Sequence, residues 1–133
     1  DSESNYILNQ GDVLVARTGA TFGKCLYFDS EEPSVYAGYL IKVEPDQSKI
    51  LNKFFWIFSQ SNDYTNQKNL LVGGAGQPQF NANALKKLKI PKISIEEQEE
   101  IISKYEKENQ VINLNETLIN DQSEKINEII SNL

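Results

Sequence analysis

The chain has 133 residues, 39% of them hydrophobic and 10% aromatic, and a formal net charge of −6 at neutral pH. This size and composition suffice for one modest hydrophobic core. One cysteine and no histidine exclude an internal disulfide, a Cys/His zinc cluster and the usual serine or cysteine triad. We therefore expect no catalytic residue and no metal ligand in this chain.

No apolar run reaches the roughly 20 residues that a membrane-spanning helix needs, and the N-terminal residues lack the pattern of a signal peptide. The sequence therefore predicts a soluble, cytoplasmic protein without a membrane partner.

The net charge is unevenly distributed along the chain. Residues 1–93 contain ten Lys and Arg against nine Asp and Glu, giving +1, whereas residues 94–133 contain three against ten, giving −7. DNA-binding surfaces are usually basic, so the acidic total disfavours DNA binding unless one face is locally positive. The first segment is the one that can supply such a face.

The first part of the chain reads as short strands followed by an apolar helix. Residues 13–16 and 21–28 predict two strands of a hairpin, and residues 36–43 predict a third strand. Residues 51–58 include five consecutive large apolar side chains, for which we favour a buried helix that continues towards Ser61.

Polar residues 62–71 predict a partly helical segment, and the glycines and proline of residues 72–78 predict a loop. Asn81 or Asn83 can cap a short helix that follows this loop.

The C-terminal segment predicts one long helix. Ser94 and Glu97 have the spacing of a capping box, and no Pro or Gly follows, so the helix can extend for about 55 Å at about 1.5 Å per residue. An apolar or aromatic side chain recurs every seven residues, which predicts packing against another helix, although Asn115 and Gln122 make the seam half polar. The stripe with this seven-residue spacing consists of five residues, Tyr105, Ile112, Ile119, Ile126 and Leu133.

Three motifs, in this order, resemble the specificity subunits of type I restriction-modification systems. They cover most of the chain, and their order makes the combination more specific than any one of them. The motifs are Gly11-Asp12 with the following strand, Arg17-Thr18-Gly19 and Gly23-Lys24; then Gly76-Gln77-Pro78-Gln79-Phe80-Asn81; then Ile90-Pro91 with Glu97-Gln98 and Ile101.

The resemblance implies an α+β fold, with a mixed sheet and helix target recognition domain over residues 1–93 and a long coiled-coil-type spacer helix over residues 94–133. It implies recognition of one half of a split double-stranded DNA target, without catalysis. S-adenosylmethionine and methylation belong to a methyltransferase subunit, and cleavage to a motor subunit, so no cofactor is expected on this chain. The resemblance leaves open a fragment of a two-domain subunit or a half-sized subunit that forms a homodimer through the helix.

Seven side chains are candidates for DNA contact. Arginine can bind guanine or phosphate, lysine can bind phosphate, and side-chain amides can pair with adenine. The alternative is structural: charges solvated beside a turn, and amides that satisfy the backbone of their own loop. The candidates are Arg17, Thr18, Lys24, Lys42, Gln77, Gln79 and Asn81. For Tyr36 and Tyr39 we expect packing in the core.

A second interpretation assigns the chain a different class of function. In it the chain is an assembly module that associates through its helix and does not read DNA. The stripe from Tyr105 to Leu133 would then be the functional surface in either interpretation. A carboxylate enzyme is a third possibility, which no spacing of acidic residues favours.

Overall fold

The computed structural model of the protein describes residues 6–72 and 79–133. Its internal contacts divide the chain into two units, residues 1–98 and residues 99–133. Each unit is described by itself below. The fold class is mixed α+β, as the resemblance implies.

Five short strands form two antiparallel sheets. Strand β2 lies between β3 and β5 in a three-stranded sheet, with Val13 opposite Tyr27 on one side and opposite Val43 on the other. Strands β1 and β4 pair separately. The strands are β1 (Ile7–Leu8), β2 (Val13–Ala16), β3 (Cys25–Tyr27), β4 (Ser34–Val35) and β5 (Leu40–Val43).

The predicted hairpin is confirmed, but its second strand, predicted for residues 21–28, is only Cys25–Tyr27, and the predicted third strand is too long at its start. Strand β5 begins only at Leu40, and Tyr39 lies before it with 64% of its surface exposed. The expected core position of Tyr39 is therefore wrong, because the chain turns just before the sheet. The turn is closed by a bond from the Leu40 amide to the Ala37 carbonyl.

Three helices follow the strands in the first unit. They are α1 (Asn52–Ser59), α2 (Asn62–Leu71) and α3 (Ala82–Leu85). The apolar run forms the predicted helix α1, and its Phe54, Phe55 and Phe58 are buried. The polar segment is helical as α2, which Ser61 caps. Asn81, rather than Asn83, caps α3.

The core joins one face of the sheet to the helices. Val13 and Val15 of β2 are completely buried, and Phe55 of α1 and Tyr64 of α2 pack in the same cluster. Phe80, which immediately precedes the capping residue of α3, is also 0% exposed and belongs to this cluster. The segment around residue 80 is therefore anchored to the body by a buried aromatic ring.

The long helix is α4 (Ile95–Ser131), and its predicted N-terminal capping box is confirmed. The Glu97 amide donates to the Ser94 hydroxyl over 3.1 Å, and the Ser94 amide donates to the Glu97 carboxylate over 2.9 Å. The Ser94 bonds hold the pKa of Glu97 below its ordinary value. The helix thus begins where the sequence predicts.

Candidate nucleic-acid interface

The turn between β2 and β3 spans residues 17–24 and has two exposed cations at its base. The Ala16 amide donates to the Lys24 carbonyl over 3.0 Å, and the Gly23 amide donates to the Ala16 carbonyl over 2.7 Å. Gly23 has a φ of +75°, which a residue with a side chain rarely adopts. Because these bonds close the turn, the exposed side chains of Arg17 and Lys24 extend from a fixed backbone.

The turn meets the second sequence motif in space. Thr18 and Gln79 form an antiparallel bridge, and the Phe80 amide donates to the Arg17 carbonyl over 2.7 Å. Gln79 is exposed, whereas the adjacent Phe80 is buried. The structure therefore brings Arg17, Thr18 and Gln79 together on one edge of the body. This edge, with Lys24, is called the recognition edge below.

The same motif contains two other candidates for DNA contact, Asn81 and Gln77. The side-chain oxygen (Oδ1) of Asn81 accepts the Ala84 amide over 2.9 Å, so half of this side chain is used to cap α3. In the described part of the chain its NH₂ group has no hydrogen-bond partner. Gln77 lies outside the described residues.

Lys42 lies on β5 and is engaged within the body. Its ammonium is 3.0 Å from the Asp12 carboxylate and 3.7 Å from that of Glu44, and it donates to the Ile7 carbonyl over 3.4 Å. The hydrogen bond that Lys42 donates to Asp12 raises the pKa of Lys42 above its ordinary value. A DNA contact by Lys42 stays a prediction, and it would require a phosphate to compete with Asp12.

Two side chains at the recognition edge were missed by sequence reasoning. The Arg17 amide donates to the carbonyl of exposed Tyr39 over 3.1 Å, which places Tyr39 beside the turn. Lys68 of α2 lies across Gly23, and its ammonium is 4.8 Å from the centre of the Phe22 ring. The positions of both side chains depend on tertiary packing, so no local sequence pattern could predict them.

Behind the turn, Cys25 and Tyr64 form a buried polar pair, with the Tyr64 hydroxyl donating to the Gly23 carbonyl. Burial raises the pKa of the Cys25 thiol and of the Tyr64 hydroxyl, so both stay protonated at neutral pH. The pair therefore supports the turn and does not supply a thiolate nucleophile. Within residues 6–72 and 79–133, no group of His, Cys, Asp or Glu is arranged to hold a metal ion.

Helix α4 carries four of the five stripe residues on its surface, and Leu133 lies just beyond its end at Ser131. Ile112, Ile119 and Ile126 are 54%, 61% and 59% exposed, Leu133 is almost fully exposed, and Tyr105 is half-buried. Among the described helices, none is both long and apolar enough to cross a membrane. The stripe is one part of the apolar surface that α4 exposes, which also includes Val111, Leu114, Leu118, Ile129 and Ile130.

Exposed cationic and amide side chains are the groups with which proteins contact the phosphates and base edges of nucleic acid. The family model of the type I restriction modification DNA specificity domain matches residues 1–127, and the chain belongs to this family. The resemblance stated from the three motifs is thus confirmed. Membership supports a role in DNA recognition, within a family that is not catalytic. A search of curated proteins gives no match.

Proposed function

We propose that the chain reads one half of a split DNA target through its recognition edge and docks a methyltransferase subunit through α4. The observation that carries the first part is the bridge between Thr18 and Gln79, which joins two motifs of a DNA specificity domain on one exposed edge. Residues 1–93 act as the recognition domain and residues 94–133 as the spacer helix.

At the recognition edge, each exposed side chain has a chemically defined partner on the duplex. The Arg17 guanidinium binds guanine or a phosphate, the Lys24 ammonium binds a phosphate, and the Gln79 amide pairs with adenine. The Thr18 hydroxyl and the free NH₂ group of Asn81 can donate to phosphate oxygens. Gln77 belongs to the same proposed surface by its place in the sequence.

Docking through α4 is supported by the exposure of its stripe. Apolar side chains every seven residues favour packing against a second helix, and about 55 Å of helix offers a long seam. The negative charge of residues 94–133 keeps this segment away from phosphates. The partner helix is assigned to the methyltransferase subunit, which supplies S-adenosylmethionine chemistry, and the motor subunit joins that complex.

The second candidate is the assembly module without DNA readout, and the same exposed stripe favours it. In that case the helix of a second copy covers the stripe, and the chain forms a homodimer. The two candidates differ in one measurable property, which is the selection of a DNA sequence.

The test mixes the chain with the methyltransferase subunit encoded beside it and selects from a randomised duplex pool at moderate salt. We expect one short motif to be enriched. Replacing Arg17 and Gln79 with alanine should relax that motif, since a lost base contact costs about 1–3 kcal/mol. A stable complex that enriches no DNA motif would refute the recognition of a DNA sequence and support the assembly module.

Docking is tested by charges placed on α4. Ile112→Glu with Ile119→Glu puts two carboxylates into the stripe and should abolish the complex. Gln110→Glu with Thr117→Glu adds the same charge with the same spacing on the opposite face and should preserve it. If both double variants still assemble, α4 does not dock through this stripe.

A further inference from the structure

A second basic surface lies outside the recognition edge. From Tyr64 to Ile95 the sequence contains five lysines and no Asp or Glu, although the whole chain carries a net charge of −6. Four of these lysines follow α3 directly. They are Lys86, Lys87, Lys89 and Lys92, and together they are called the lysine strip.

The strip is part of the folded body. Leu85, Leu88 and Ile90 alternate with the lysines and pack against the hydrophobic core, while all four lysine side chains are exposed. The three partly buried apolar side chains fix the orientation of the segment, so that the lysines between and beside them face solvent. All four positive charges therefore lie at the surface of the body.

The backbone of the strip is held by hydrogen bonds. The Gln67 side chain of α2 accepts the Lys89 amide over 2.8 Å and donates to the Lys89 carbonyl over 2.9 Å. The Asp63 carboxylate in turn accepts from the side-chain NH₂ group of Gln67 over 3.2 Å. The Lys87 amide closes a turn onto the Ala84 carbonyl. A surface fixed before binding loses less conformational entropy when a ligand arrives.

The charges of the strip are not neutralised within the body. Lys42 and Lys49 each lie within 4.0 Å of a carboxylate, but no such ion pair involves the strip in the described part of the chain. The strip also begins five residues after Asn81, so it continues from the segment that forms the recognition edge. The unpaired positive charges of the strip and its position next to this segment both fit a polyanion that lies beside the recognition edge. The DNA backbone is such a polyanion.

We propose that Lys86, Lys87, Lys89 and Lys92 contact phosphates of the duplex beside the bases that the recognition edge reads. This inference rests on the proposed function and names the surface that holds the backbone. The strip contributes affinity without base choice, because phosphates are the same at every sequence position.

The test measures how duplex binding depends on salt, for the full chain alone and in complex with the methyltransferase subunit. One variant replaces all four strip lysines with glutamine. Its control replaces the exposed Lys104, Lys107 and Lys125 of α4 with glutamine, which removes three positive charges outside the strip. The control is compared in the chain alone, because α4 is the proposed docking helix. A third variant replaces the strip lysines with arginine and keeps the charge.

The logarithm of the binding constant falls with the logarithm of salt concentration by about 0.9 per phosphate contact. We expect the slope to decrease by about 2 to 4 in the glutamine strip variant, with the enriched motif unchanged. The arginine variant and the control should keep the wild-type slope.

Four outcomes would overturn the proposal. An unchanged slope in the strip variant, with the wild type still selecting a motif, removes the strip and leaves the proposed function intact. An equal decrease in the control variant shows an effect of net charge alone. A changed motif shows base reading instead of phosphate contact. If the wild type binds no duplex, the proposed function and the strip fail together.

Discussion

Replacing Gln98 with alanine removes a buried side chain that ties the first turn of α4 to the segment before α1. The side-chain oxygen (Oε1) of Gln98 accepts the Leu51 amide over 2.9 Å. Its side-chain NH₂ group donates to the backbone carbonyls of Lys49 over 2.7 Å and Ile93 over 3.2 Å. The side chain is only 1% exposed. The substitution therefore leaves three backbone groups without their partner.

A buried polar group without a partner costs about 1–3 kcal/mol, and water can reach some of the groups around this partly buried site. The Leu51 amide and the Lys49 carbonyl carry most of the loss, because their bonds are the shortest. We expect Gln98→Ala to lower the free energy of unfolding by about 2–4 kcal/mol. Gln110→Ala changes the same residue type at an exposed position of α4 and should cost less than about 0.5 kcal/mol.

Urea denaturation followed by the fluorescence of Trp56 measures this loss. Trp56 is the only tryptophan and packs against Tyr27 in the body, with 6.2 Å between ring centres. Its signal therefore reports unfolding of the unit to which Gln98 belongs. Equal denaturation midpoints for Gln98→Ala and Gln110→Ala would refute the assignment of Gln98 as a stabilising anchor.

Three further substitutions test other contacts. Gly23→Ala should cost about 1–2 kcal/mol, because φ is +75° and the new Cβ would lie 2.2 Å from the Lys68 side chain; Gly38→Ala, in open space, should match the wild type in thermal denaturation. Ser94→Ala should cost about 1 kcal/mol and weaken hydrogen-exchange protection in the first turn of α4, and unchanged protection would contradict the cap. Lys42→Met should lower Tm below about pH 10, and because Asp12 raises the pKa of Lys42, the wild-type advantage should vanish as pH rises through that pKa. A difference that persists at higher pH would argue against the ion pair.

The features that the sequence predicted correctly depend on residues close together along the chain. The capping box needs only Ser94 and Glu97, three residues apart, and the hairpin needs two apolar runs around a short turn. The apolar run of α1 was ambiguous by periodicity, and its length favoured a helix. Local hydrogen bonding and burial determine these elements, so the chain order contains the necessary information.

The features that the sequence did not reveal depend on contacts between distant residues. Strands β1 and β4 are two residues each, too short for an alternating pattern, and they exist only because Ile7 meets Val35. The packing of Lys68 on Gly23 joins residues 45 positions apart. The bonds of Gln98 to Lys49 and Leu51 span 49 and 47 positions. In each case packing of the whole body decides the pairing.

The residues that carry the family resemblance have two kinds of role in the structure. Asp12 binds Lys42, Asn81 caps α3 and Gln98 anchors the first turn of α4, so these side chains are used to hold the fold. Arg17 and Gln79 belong to the same motifs but are exposed. The motifs that identify the family therefore determine the fold through those side chains that bond within the protein. The bases that are read must depend on exposed side chains, because only those can reach the grooves of the duplex.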